Sequence, residues 1–118
     1  MEYFYSKNLP ENVGVSKLHK AAMSGKLEEF KNIFKKADNK NPVDDQGSTP
    51  LHWAAGTGHL EVVKFIMEKV EDKDPRNKNG NTPLHLAALN GHVEVCKLIA
   101  SKVENKNTLV EGNKYLLI

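Results

Sequence analysis

The stretch Gly47-Ser48-Thr49-Pro50-Leu51-His52-Trp53-Ala54-Ala55 returns 33 residues later as Gly80-Asn81-Thr82-Pro83-Leu84-His85-Leu86-Ala87-Ala88. Residues 44–76 and 77–109 are identical at 17 of 33 positions, and residues 11–43 match 44–76 at 13 of 33. Similarity at a fixed period of this length is typical of proteins built from stacked units. The sequence therefore predicts three tandem units, of which the first is the most divergent.

Each unit has the pattern of a turn, a short helix, a tight loop and a second helix. Thr49 can cap the first helix with its hydroxyl, and Pro50 suits the first helical position, where no N–H donor is needed. We expect this helix to span 50–55, the glycines of 56–58 to end it, and the second helix to span about 59–70. Apolar residues at helical spacing predict the buried stripe of each second helix: Leu27, Phe30, Ile33 and Phe34; Leu60, Val63, Ile66 and Met67; Val93, Cys96, Ile99 and Ala100.

Proline and glycine separate the units. Pro42 and Pro75, followed by Gly47 and Gly80, exclude a continuing helix and predict a projecting turn. Residues 43–48 and 76–81 are called the second and third fingers below. A single helix pair cannot bury both of its apolar faces, whereas stacked pairs can, so the units should form a short all-α solenoid.

The pattern resembles the ankyrin repeat. Its signature is matched by Gly47-x-Thr49-Pro50-Leu51-His52-x-Ala54-Ala55-x-x-Gly58-His59 and by the copy that runs from Gly80 to His92. The resemblance implies helix-turn-helix units joined by β-turn fingers, with no cofactor and no catalytic residue. It also implies that the chain binds another protein through its finger tips and its concave first-helix face.

This resemblance divides the chain into five segments. We expect an N-terminal capping segment at 1–10, three repeats at 11–43, 44–76 and 77–107, and a degenerate fourth finger or C-terminal cap at 108–118. The chain departs from the family where the second helices end, because Ala37, Val70 and Val103 stand in place of the usual glycine. Valine disfavours positive φ, so these helix ends should be built differently, through the charged run and proline that follow.

The two termini carry apolar residues of their own. Tyr3, Phe4 and Tyr5 are three of the chain's eight aromatic residues, which favours packing of this segment on the first unit over a frayed terminus. In the tail, Leu116 and Ile118 can fold onto the third unit as a cap. The alternative is that the chain is a piece of a longer array.

Composition narrows the function classes. The 118 residues carry 17 Lys+Arg against 15 Asp+Glu, a net charge of +2, which argues against a dedicated nucleic-acid binder. The single cysteine, Cys96, excludes an intramolecular disulfide framework and a multi-cysteine zinc site, and favours a cytoplasmic or nuclear protein. No apolar run is long enough for a signal peptide or a membrane span, so we expect no membrane insertion.

Several residues that could carry chemistry also have structural explanations. His19, His52 and His85 recur at one place in the repeat, as ligands or bases, or as imidazoles that tie the finger turn to the helix through both ring nitrogens. The second interpretation explains three copies a repeat apart. We expect Cys96 to be a buried small side chain, and Asp44 and Asp45 to be surface charges. Because no nucleophile–base pair or metal set remains, we predict no enzymatic activity.

The positions that the repeat leaves variable should select the partner. Trp53 is either a packing residue or an exposed anchor of the kind enriched in binding hot spots. The charge changes from Asp44 and Asp45 in the second finger to Arg76 and Lys78 in the third, which would orient a partner with a complementary basic-then-acidic strip. The predicted partner-binding residues are Lys20, Met23, Asp45, Gln46, Ser48, Trp53, Thr57, Arg76, Lys78, Asn79, Asn81, Leu89 and Asn90.

The predicted function is non-catalytic protein–protein recognition by a monomer that serves as an adaptor, scaffold or inhibitor. One alternative is the regulatory or targeting portion of a larger enzyme or channel. Another is nucleotide or nucleic-acid binding through Lys20, Trp53, Arg76 and Lys78, which the near-neutral net charge disfavours.

Overall fold

The computed structural model describes residues 15–103. The capping segment predicted at 1–10 and the tail predicted at 108–118 lie outside the described residues. The described part holds six α-helices and no strand, so the all-α prediction is confirmed. The helices are α1 Lys17–Ser24, α2 Leu27–Lys36, α3 Pro50–Thr57, α4 Leu60–Lys69, α5 Pro83–Leu89 and α6 Val93–Lys102.

The first helix of each unit begins at a reciprocal cap. The Thr49 hydroxyl accepts from the His52 backbone N–H at 3.3 Å, and His52 Nδ1 accepts from the Thr49 N–H at 3.0 Å. The same capping box forms at Ser16 and at Thr82. The first unit therefore starts in the same way as the others although it lacks the Thr-Pro pair.

Helix α3 is longer than the sequence predicts. It continues through Gly56 and Thr57 and ends at Gly58, whose φ of 81° places it in the left-handed region. The prediction of an end at Ala55 was wrong because one glycine does not break a helix whose other groups stay paired. The Thr57 hydroxyl donates to the Trp53 carbonyl at 2.7 Å, and the Gly58 N–H donates to the Ala54 and Ala55 carbonyls.

The second helices end without a left-handed residue, as expected. Ala37, Val70 and Val103 have φ values of −74°, −104° and −87°. A lysine three residues after Ala37 or Val70 accounts for the ends of α2 and α4. Lys40 Nζ donates to the Ala37 carbonyl and Lys73 Nζ to the Val70 carbonyl, both at 2.8 Å. The cation also complements the negative end of the helix dipole.

The helices stack in two layers, with α1, α3 and α5 in one and α2, α4 and α6 in the other. Small residues allow close approach in the first layer, where Ala22, Ala54 and Ala55 have no exposed surface. Aromatic rings join the second layer. The Phe65 ring meets the rings of Phe30 and Phe34 edge-on, with centroid distances of 5.9 and 5.4 Å.

The buried face of the second helices differs from the predicted one, because it does not include the first residue of the helix. Val93 was expected to be buried and is 58% exposed, whereas Val62 and Val95 are buried. At 100° per residue, Val62, Val63, Ile66 and Met67 share one face of α4, and the first residue of each second helix lies at its edge. The prediction for Val93 was therefore wrong.

Candidate partner-binding face

One histidine links each unit to the next, His19 from the first unit to the second and His52 from the second to the third. His19 Nε2 donates to the Ser48 carbonyl and His52 Nε2 to the Asn81 carbonyl, both at 2.8 Å. Because a carbonyl only accepts, Nε2 carries the proton, and Nδ1 is the acceptor in the capping box. Both ring nitrogens of these two histidines are used inside the stack. This confirms the interpretation that they link the finger turn to the helix.

The surroundings of these two rings favour the neutral imidazole. Burial lowers the pKa of His19 and of His52 below the ordinary value, and their carbonyl partners and the Asp44 carboxylate oppose this shift only in part. Protonation of Nδ1 would also turn the acceptor of the capping box into a donor. The hydrogen bonds and the lowered pKa values thus favour a structural role for the two histidines.

Trp53 is held rigidly on the exposed side of α3. Its indole Nε1 donates to Asp44 Oδ2 at 2.9 Å, and its ring meets the His19 ring edge-on at a centroid distance of 5.5 Å. The side chain is half-buried. Trp53 therefore packs against the stack and leaves part of its side chain accessible.

Asp44 was predicted to be a surface charge, but its carboxylate is hydrogen-bonded within the structure. Its Oδ1 accepts from the backbone N–H groups of Gln46 and Ser48, both at 2.9 Å, while Oδ2 accepts from Trp53. This carboxylate fixes both the finger turn and the Trp53 indole. The aspartate that precedes Gly47 by three residues is the sequence signal that could have revealed this turn.

The third finger uses an asparagine at the equivalent position. Asn77 Oδ1 accepts from the N–H groups of Asn79 and Asn81 at 3.0 Å, and Nδ2 donates to the Ser48 hydroxyl at 3.1 Å. The Asn77 amide thus donates to a hydroxyl, whereas the Asp44 carboxylate accepts from the indole N–H. The Lys78 N–H also donates to the Gln46 carbonyl at 2.8 Å. The two fingers are thus fixed to each other.

The predicted partner-binding residues mostly lie together on one surface, called here the first-helix face. It comprises the outward sides of α1, α3 and α5 with the second and third fingers. Ser48 is buried between the fingers and is removed from the predicted set, because its hydroxyl and carbonyl are used by Asn77 and His19. Trp53 and Asn81 are half-buried. The exposed members are Lys20, Met23, Asp45, Gln46, Thr57, Arg76, Lys78, Asn79, Leu89 and Asn90.

Gly56, called the notch below because it carries no side chain, lies between two exposed apolar residues of this face. Met23, Gly56 and Leu89 occupy equivalent positions in the three units, and the two flanking side chains are 46% and 56% exposed. Asn90 Nδ2 donates to the Gly56 carbonyl at 2.8 Å and spans from α5 to α3 beside the notch. Met23 and Leu89 are thus separated by a position without a side chain, beside which Leu86 and Asn90 lie within 4.0 Å of a Cβ built on Gly56.

Comparison with protein families matches the model of three ankyrin repeats to residues 18–109. The match extends over most of the 118 residues. The chain belongs to the ankyrin repeat family. A comparison with curated proteins finds no match. Ankyrin repeats generally serve as protein–protein interaction modules and are typically non-catalytic.

The described part of this ankyrin stack does not favour thiol or metal chemistry. Cys96 is buried in α6, and burial raises the pKa of its thiol, which disfavours the reactive thiolate. Within residues 15–103, no three histidine, cysteine, aspartate or glutamate side chains cluster closely enough to hold a metal ion. No helix in that range has both the length and the apolar character needed to cross a bilayer.

We expect the ankyrin stack to lose stability on acidification. The pKa values of His19 and His52 are lowered in the folded chain, whereas both are near 6.5 in the unfolded chain. Below about pH 6.5 the unfolded chain therefore binds more protons, and the free energy of unfolding should fall as the pH decreases toward about 5. Urea titrations at several pH values measure this. A free energy that is constant or rises on acidification would contradict it, and His52→Gln should weaken the dependence.

We expect Asp44→Asn to release Trp53. With the amide oxygen still accepting from the finger, the NH₂ group would face the indole N–H, so two donors would oppose each other. The loss should be about 1–2 kcal/mol of unfolding free energy, with a shifted indole NMR signal. Asp45→Asn, at the exposed next position, is the matched control and should change neither. Equal behaviour of the two variants would show that the indole bond is unimportant.

We expect Gly56→Ala to stabilise the fold. A Cβ at this helical position would lie 3.6 Å from Leu86 Cβ, which is ordinary contact. Replacing glycine by alanine inside a helix should therefore raise the free energy of unfolding by about 0.5–1 kcal/mol. Thermal and urea denaturation measure the change. A decrease would mean that the notch is closed to even one methyl group.

Proposed function

We propose that this chain is a non-catalytic protein-recognition module that acts as an adaptor, scaffold or inhibitor. We propose further that it binds its partner with the first-helix face. The observation that carries the proposal is that, in the first helices and the fingers, most residues that differ between the units are exposed on one surface. Family membership supports protein recognition in general. The buried free thiol of Cys96 supports a cytoplasmic or nuclear location.

The centre of the proposed contact is apolar. Met23 and Leu89 flank the notch at Gly56, and the half-buried Trp53 lies on the same helix as that glycine. Aromatic and apolar side chains near the middle of an interface supply most of the binding energy when water is excluded. A partner that inserts one apolar side chain into the notch would desolvate this cluster.

The rigidity of the face supports tight recognition. The Trp53 indole is fixed by Asp44, and the Lys78 N–H links the third finger to the second through the Gln46 carbonyl. Little conformational entropy is then lost when a partner binds, since these groups are already ordered. The module thus needs no rearrangement of the two fingers.

The charges at the finger tips would orient the partner. The second finger carries the exposed Asp45 and the half-buried Asp44, whose carboxylate is turned toward Trp53, while the third carries the exposed Arg76 and Lys78. A partner with one basic group and a longer acidic segment would be steered into a single orientation.

The experiment compares two substitutions of the same kind on different faces. Leu89 and Val93 are 56% and 58% exposed and lie four residues apart, but only Leu89 belongs to the first-helix face. A partner is first isolated with the wild-type chain and its affinity is measured by calorimetry. Leu89→Glu should weaken binding at least about tenfold, since a carboxylate would enter the apolar centre. Val93→Glu should leave the affinity unchanged.

Two further results are decisive. Lys78→Glu should slow association and make it less sensitive to salt, because it removes a steering charge. If Leu89→Glu and Lys78→Glu both bind like wild type, the contact surface lies elsewhere. Circular dichroism of each variant shows that the helices are retained.

A further inference from the structure

A groove opens on the outer face of the first unit. It lies between the start of α1 and the second half of α2, and its volume is about 700 Å³. Lys17 and Lys36 stand among the polar residues that line it. The groove is larger than a single side chain would fill, and Val43 is 57% exposed there. Its apolar lining consists of Leu18, Ile33, Ala37, Pro42 and Val43.

The same face of the second unit is covered. Ile66, which is equivalent to Ile33, is 1% exposed, and the neighbouring Phe65 packs edge-on against Phe34 of the first unit. Ile33 is only partly buried. The groove is therefore the surface that a preceding layer covers in the second unit, and within the described residues nothing covers it in the first.

A further complete repeat does not fit this face well. The second helices of the second and third units bury Val62 and Val95, and they place Phe65 and Leu98 against the core. The equivalent residues of α2 are Glu29 and Asn32, both exposed. Another helix pair stacked here would bury a carboxylate without a partner, which is costly. The polar part of the face favours a smaller occupant that covers the apolar groove only.

The N-terminal segment has the position and the chemistry for this groove. Ser16 and Lys17 line the groove, so residues 1–14 are joined through Val15 to its edge, and a fully extended chain of that length would reach roughly 45 Å. A shift of one 33-residue period aligns residues 1–8 with residues 34–41. That segment begins with Phe34, whose ring packs against Phe65 of the second unit.

We infer that residues 1–14 bind in this groove and cover the end of the stack with the aromatic triad Tyr3, Phe4 and Tyr5. In the alignment by one period, the triad corresponds to residues 36–38, which follow Phe34 within about one helical turn. Glu2 and Glu11 complement the charges of Lys17 and Lys36 at the groove. The groove is thus an intramolecular docking site, and none of the predicted partner-binding residues lines it, although Val43 belongs to the second finger.

The test uses the full chain with labelled methyl groups. We expect nuclear Overhauser effects between the ring protons of residues 3–5 and the methyl groups of Leu18, Ile33 and Val43. Replacing all three aromatic residues by serine should remove them and lower the melting temperature by about 5–15 °C, because aromatic burial is large. Absence of the contacts, or an unchanged melting temperature in the triple variant, overturns the inference.

A matched pair of single variants locates the effect. Val43→Ser and Val93→Ser alter valines of equal exposure, at 57% and 58%, of which only Val43 lines the groove. Val43→Ser should lower the melting temperature when the triad is intact and not when it is replaced, whereas Val93→Ser should have no effect in either background. Equal effects of Val43→Ser in both backgrounds, or contacts that appear only between chains at high concentration, overturn the inference.

Discussion

His52→Ala is expected to lower the free energy of unfolding by about 4 kcal/mol. The ring is fully buried, donates to the Asn81 carbonyl and accepts from the Thr49 N–H. Its removal leaves both backbone groups without a partner in the interior, at about 1–3 kcal/mol each, and adds a cavity. The measurement is equilibrium urea unfolding followed by circular dichroism.

The control for this substitution is Leu89→Ala. Leu89 is also in a first helix but is 56% exposed, so the change should stay within about 0.5 kcal/mol. If His52→Ala costs no more than Leu89→Ala, then the recurring histidine does not hold successive units together. That result would also remove the basis for treating the variable residues as the functional surface.

Gly58→Ala is expected to cost about 3 kcal/mol. Gly58 has a φ of +81°, and a Cβ there would lie 2.5 Å from Nδ1 of the His92 ring. The left-handed conformation alone costs about 1–2 kcal/mol for a residue with a Cβ, and displacing the half-buried His92 ring adds a similar amount. Urea unfolding and the His92 imidazole NMR signals report the two effects.

Gly91→Ala separates the two contributions. Gly91 has nearly the same φ, +76°, but no described atom lies within 4 Å of a Cβ built on it. This control should therefore cost only the backbone term of about 1–2 kcal/mol. Equal losses in the two variants would show that contact between the loop glycine and the histidine of the next unit is unimportant.

The sequence predicted the features that depend on period and local chemistry. The 33-residue offset led to the stacked helix pairs, and Thr49 with Pro50 placed a helix start that the structure confirms. The role of His52 was predicted because three copies a repeat apart suit a structural tie better than a metal site. Recurrence is informative here, since each copy meets the same surroundings.

The sequence was less informative where partners come from different units. The burial of Ser48 depends on Asn77 of the third finger, and the role of Asp44 depends on the direction of the Trp53 indole. Neither pair recurs, so comparing the units could not reveal it. The exposure of Val93 was missed because an apolar residue at helical spacing can still lie at the edge of the buried face.

Helix ends show the same distinction. The absence of glycine at Val70 correctly predicted an end without positive φ. The group that replaces it, the Lys73 ammonium on the Val70 carbonyl, could not be chosen from a run of several charged residues. Long side chains have too many conformations for sequence alone to assign their contacts.

Long-range ¹H–¹⁵N correlation of the imidazole rings at neutral pH tests the central claim most directly. That claim is that the repeated residues, above all His19 and His52, are used to hold one unit to the next and leave only the variable surface for a partner. The structure predicts that both rings are neutral with the proton on Nε2, since Nε2 donates across the units and Nδ1 accepts within the cap. Rings protonated on Nδ1, or fully protonated and exchanging freely with solvent, would contradict it.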